Sequence, residues 1–156
     1  MNRRRRPSGF TLLELLVVLV LAGISVAVVG GGAQAFMERA RYHQTVRDVA
    51  SRLGQARALC VQQGRHVTVA YDPQARQLLV QEQPPLPIPP NLDVKWQPLP
   101  PGPRASGGPG EPVFVFNPDG GARGGQFAVL RGGQGVGFRV SWLLGTVEQV
   151  AVDAGL

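Results

Sequence analysis

The sequence predicts an α+β chain: one long N-terminal helix, its first half membrane-spanning, packed through its second half on antiparallel β-sheet. Three observations predict this. Residues 10–33 are almost wholly apolar, with Glu14 as their only charge. From 36 to 63 the background turns polar, yet apolar residues still recur every three or four positions. After Gly64 the apolar period becomes two, and Gly- and Pro-rich turns interrupt it.

The chain opens on Arg3, Arg4, Arg5 and Arg6, then Pro7, Ser8 and Gly9. The net charge of +6 and the pI of about 11 would fit a nucleic-acid binder. The position of the charge argues otherwise. Beyond those four arginines, 12 of the 16 basic residues remain against 10 acidic ones. A basic cluster directly before an apolar run fits cytoplasmic retention of the N-terminus better than a phosphate-binding surface. Leu15 to Gly32 approaches the roughly 20 apolar residues that a bilayer-spanning helix needs. An ordinary secretory signal has a shorter apolar region with small residues at its cleavage point. Here Ala33-Gln34-Ala35 is a late match, and the helical pattern runs on past it.

In the second half of the helix, Val46, Val49, Ala50, Leu53, Ala56 and Cys60 form one stripe. Arg39, Arg41, Arg47, Asp48, Arg52 and Arg57 fall mostly on other faces. Gly64 is a natural helix stop. Val67, Val69 and Tyr71 then alternate with polar or small residues, Asp72-Pro73-Gln74 reads as a turn, and Arg76 to Gln81 as the partner strand. Residues 84–112 are rich in Pro and Gly and read as an extended or mobile loop, with a short strand at Leu92 to Trp96. Val113 to Phe116, Phe127 to Leu130, Val136 to Trp142 and Val147 to Val152 complete an antiparallel set.

Little here reads as catalysis or cofactor binding. Cys60 is the only cysteine, so no internal disulfide forms, and it reads as a small buried apolar residue. His43 and His66 have no HxxH or CxxC spacing around them, and a Cys60–His66 nucleophilic pair has no obvious support. Gly30-Gly31-Gly32 and Gly132-Gly133 lack the Lys-Ser/Thr of a phosphate loop. The triplet is a weak point in the apolar helix, since each glycine costs about 1 kcal/mol of helix propensity. Asp119, Glu148 and Asp153 do not follow a calcium-loop spacing, so no metal and no cofactor are expected. The helix arginines are broken by Glu38 and Asp48 and have no aromatic platform, which argues against nucleic acid.

Glu14 needs an explanation of its own. A carboxylate near a membrane core costs about 2.5–3.5 kcal/mol on insertion scales, and such residues usually have a partner. No cationic residue lies one or two helical turns from it. The partner then comes from another chain or from a newly made amine. Cleavage after Gly9 would create one at Phe10, four residues before Glu14.

The segment Gly9-Phe10-Thr11-Leu12-Leu13-Glu14-Leu15 resembles the N-terminal signal of type IV pilins and type II secretion pseudopilins. The resemblance implies cleavage between Gly9 and Phe10 by a membrane aspartic peptidase, methylation of the new N-terminus at Phe10, and an assembly role for Glu14. The later stretches HVTVAY, QLLVQ, VFVFNPDGGARGGQFAVL and LLGTVEQV are similar to the GspH/FimT group of minor pilins, so the match extends over nearly the whole chain. It implies a pilin-like fold with a leader at 1–9, a transmembrane and assembly helix at 10–35, and a periplasmic domain at 36–156. It further implies a single-pass inner-membrane protein with a cytoplasmic N-terminus, a non-enzymatic structural subunit near the tip of a periplasmic pseudopilus. Its partners would be other pseudopilins through parallel N-terminal helices, the prepilin peptidase, an inner-membrane assembly platform and membrane lipid. Two alternatives stand beside this: a minor pilin of a type IV pilus, including one that serves DNA uptake, and a membrane-anchored periplasmic enzyme or binding module.

Overall fold

The computed structural model describes residues 11–100 and 109–153, with the backbone alone for 26–33. Helix α1 spans Leu12–Gln63, 52 residues, and its backbone stays helical through the glycine triplet. It stops where the sequence predicts: Gly64 takes φ of 62°, the left-handed conformation that closes a helix and that glycine adopts without a Cβ clash. Among the described residues nine strands follow: β1 (Val67–Asp72), β2 (Gln77–Val80), β3 (Leu86–Pro87), β4 (Asp93–Trp96), β5 (Glu111–Phe116), β6 (Ala122–Gly124), β7 (Phe127–Arg131), β8 (Gln134–Val140) and β9 (Val147–Asp153). They make two sheets, ordered β3-β2-β1-β5-β6 and β4-β7-β8-β9, with every pairing antiparallel. The chain divides into two compact units, Met1–Ala40 and Arg41–Leu156.

The core of the second unit follows from the two periodicities. Val46, Val49, Leu53, Ala56 and Cys60 of the helix are buried, with Ala50 beside them, so the stripe read from the sequence is the packed face. On β1, Val67, Val69 and Tyr71 point inward and their neighbours are half-exposed. Phe127, Val129 and Phe138 supply the face of the other sheet. Tyr71 packs edge-on to Trp96 and Phe127, with ring centroids 4.8 and 5.4 Å apart, which joins the two sheets. Burying each of the larger apolar side chains is worth roughly 1.5–3 kcal/mol.

The structure departs from the sequence reading in three places. The Pro/Gly-rich segment, expected to be extended or mobile, is built into both sheets over its described part. Leu86 and Pro87 form β3 against β2, β4 pairs with β7, and Ile88 and Leu92 are buried. Arg76 holds the stretch between: its carbonyl accepts from Ile88 N–H at 2.8 Å and its guanidinium donates to the carbonyl of Pro89 at 3.2 Å. Secondly, β6 is an additional short strand after the Asn117–Gly120 turn. Thirdly, β8 ends at Val140 rather than continuing to Trp142, because residues 141–146 close a tight turn.

Candidate functional site

Thr11 is the residue that starts α1. Its Oγ1 accepts the backbone N–H of Glu14 at 3.2 Å, and its carbonyl accepts that of Leu15 at 3.2 Å. Thr11 is therefore the N-cap and Glu14 the third helical residue, the Thr-x-x-Glu spacing of a capping box. A carboxylate in the first turn also faces the positive end of the helix dipole. This local role of Glu14 is readable from the sequence as Thr three residues before Glu ahead of an apolar run, beside the membrane cost of its carboxylate. Gly9 and Phe10 lie outside the described residues, as does the whole leader.

Beyond the cap, residues 12–25 expose apolar side chains all round: Leu12 is 91 % accessible, Leu16 63 %, Val18 58 % and Ile24 58 %. Nothing lies within 4 Å of a Cβ placed on Gly23. A stretch this apolar and this uncovered calls for lipid or other helices around it. Among the described residues, no helix is long and apolar enough to cross a membrane. The side chains of 26–33, toward the C-terminal end of the predicted span, lie outside that description.

The remaining chemical candidates resolve into structural roles. Cys60 is buried, and its thiol donates to the carbonyl of Arg65 at 2.9 Å. Burial pushes its pKa above the ordinary 9.0, and a hydrogen bond from the Val67 backbone opposes this more weakly. It stays a thiol at neutral pH and is a poor nucleophile. His43 is exposed, and the Nδ1 of His66 lies 3.0 Å from Asn117 Oδ1. Arg47 bonds Gln44 at 3.1 Å and Arg52 bonds Gln83 at 2.9 Å, so part of the basic helix face is tied to its own domain. Among the described residues, no three His, Cys, Asp or Glu side chains are placed to hold a metal ion. A concavity of about 210 Å³ lies on the second sheet, where Ala128 and Gly137 face each other in register with Lys95 and Val150 on either side. Its lining contains no Ser, Thr, Cys or His. Sequence reasoning missed this concavity because two small residues opposite each other on neighbouring strands leave no linear signal.

Two family models match the chain. The one described as the prokaryotic N-terminal methylation motif matches residues 4–30, which carries Gly9, Phe10 and Glu14. The one described as type II transport protein GspH matches residues 45–145, from the buried helix stripe to the β8–β9 turn. No curated protein and no solved structure matches.

Proposed function

Because the chain belongs to the GspH family of type II transport proteins, whose model covers about two thirds of it, we propose that it is a minor pseudopilin of a type II secretion system. The family is structural and non-enzymatic, and membership implies interaction with other pilins or pseudopilins. The observation that carries the reading is the register at the head of α1: a basic leader, Gly9-Phe10, and a glutamate on the first turn of an uncovered apolar helix.

In this reading residues 1–9 are removed, Phe10 becomes the methylated N-terminus, 10–35 sits in the inner membrane, and 36–156 faces the periplasm. Glu14 then has two tasks. Its backbone N–H closes the helix cap with Thr11. Its carboxylate pairs with the Phe10 amine of an adjoining subunit, and that single contact fixes the axial offset between parallel helices. An ion pair in low dielectric is strongly destabilised when one member is deleted, because the other charge stays buried and unpaired.

The test is Glu14→Leu in cells that carry the secretion machinery and the peptidase. Intact mass shows loss of residues 1–9 and gain of one methyl in both proteins, at equal membrane levels. Secretion and crosslinking to other pseudopilins fall at least tenfold in the variant alone. A pure anchor would insert as well or better without the charge. Full secretion by Glu14→Leu refutes the assembly role, and a mature chain that begins after Ala35 refutes the processing.

A further inference from the structure

The turn between β8 and β9 carries Trp142, Leu143 and Leu144 in succession, exposed at 78 %, 62 % and 59 %. Among the described residues of the second unit, the other large apolar side chains are buried or half-buried, Val61 apart. The turn itself is firmly held. Ser141 N–H donates to the carbonyl of Thr146 at 2.9 Å, Gly145 N–H to that of Ser141 at 2.8 Å, and Ala122 N–H on β6 to that of Trp142 at 3.1 Å. Gly145 sits at φ of 60°, and a Cβ there would come within 2.5 Å of the Gly120 carbonyl. The backbone is therefore locked against the Asn117–Gly120 turn while three large side chains face out. Fixing them there forgoes the stabilisation that burial in a core would give each of them. Exposed apolar side chains on a backbone held in place are the makings of a docking element.

We propose that this tip seats in an apolar recess on the globular domain of a neighbouring pilin-like subunit. The inference rests on the pseudopilin reading and adds a second contact to it. Two arguments select this occupant. Area is the first: the three side chains offer on the order of 400 Å², about half of the roughly 800 Å² per partner in a stable complex. The tip does not hold a free second copy in solution. It suits a partner already held alongside by another contact, which parallel α1 helices supply. Position is the second. The tip lies beside Arg57, whose Nε is 3.3 Å from the point that a Cβ on Gly145 would occupy. Arg57 is 16 residues, about 24 Å of helix, beyond the start of this unit at Arg41. Within its own unit the tip therefore lies against the C-terminal part of α1, on the globular domain, the surface that a neighbouring subunit's globular domain would meet.

The experiment places a photoreactive benzophenone amino acid at Leu143, or at Val18 as a control on the helix, in the full chain in cells that carry its secretion machinery. Crosslinked products are identified by mass spectrometry. Expected are adducts with a pilin-like subunit from both positions. Trp142→Ser lowers the Leu143 adduct at least tenfold and leaves the Val18 adduct, the protein level and leader processing unchanged. Leu144→Ser, a milder change, lowers it in the same direction, so loss of folding is not mistaken for loss of docking. Adducts from Val18 with none from Leu143, or adducts of Leu143 with lipid or a second copy only, overturn the tip while leaving the pseudopilin reading in place. Silence at both positions overturns both.

Discussion

At the scale of single residues, burial sets the chemistry of Cys60 and Tyr71. Both groups are neutral when protonated, and burial raises both above their ordinary values of 9.0 and 10.0. The native state then keeps protons that the unfolded chain has lost. The stability they contribute is complete below about pH 9 and is lost as pH rises through the raised folded values. The melting temperature of the globular domain should hold steady from pH 7 to 8.5 and fall steeply between pH 9 and 11. Cys60→Ala should flatten the first part of that fall. Native Cys60 should react with iodoacetamide at pH 8 at least a hundredfold more slowly than in urea. Fast alkylation of the native protein, or a melting temperature that ignores pH above 9, would show that the thiol is not desolvated as the fold implies. The burial of Cys60 was legible because it falls on the stripe with Val49, Leu53 and Ala56. The cap made by Thr11 was equally present as Thr-x-x-Glu. It is masked by the apolar surroundings of Glu14, which point to the membrane.

Elements were legible where a period repeats at least twice. The stripe on α1, its stop at Gly64 and the alternation in β1 all read directly from side-chain spacing. Strands β3 and β6, of two and three residues, are too short to show any period. Proline composition misled at 84–100, since Pro lacks an N–H and suggests a loop. Pro87 is harmless because β3 lies on a sheet edge, where no second partner asks for its donor. The signal lay in the apolar residues among the prolines, Ile88 and Leu92, which complete the core. A protease test follows. Lys95 lies inside β4, opposite Ala128 on β7, with Gln97 N–H donating to the Gln126 carbonyl at 2.8 Å just beyond it. Trypsin should cut there only as fast as the whole domain unfolds, so the cleavage rate should track global stability across a urea series. Rapid cleavage at Lys95 without loss of tertiary signal would mean that the segment opens by itself.

Taken whole, the molecule pairs one unit that closes its own core with one that leaves its apolar surface uncovered. In the second unit the helix stripe, Tyr71, Phe114, Phe127 and Phe138 are all buried within Arg41–Leu156. In the first, Leu12, Leu13, Leu15, Leu16 and the residues up to Ile24 remain exposed. The change within the helix reads as a hydropathy step at 35–36, a few residues before the chain divides at Arg41, and the helical period itself marks no boundary because it runs on unbroken. This division makes a prediction about autonomy. A chain that begins at Met37 removes residues 12–25 and keeps the whole buried stripe, whose first member is Val46. It should be soluble without detergent, run as a monomer in light scattering, and unfold in one cooperative transition. The full chain should need detergent or a bilayer. The monomer is expected even with the Trp142–Leu144 tip present, since that area alone is about half of what a stable interface buries. Trp142 should accordingly fluoresce as a solvent-exposed indole in the truncated chain, and Trp96, which donates to Glu111 at 2.7 Å and packs on Tyr71, as a more shielded one. A truncated chain that melts without cooperativity would show that residues before Met37 complete the core. A stable dimer that Trp142→Ser dissolves would show that the tip suffices to hold a second copy unaided.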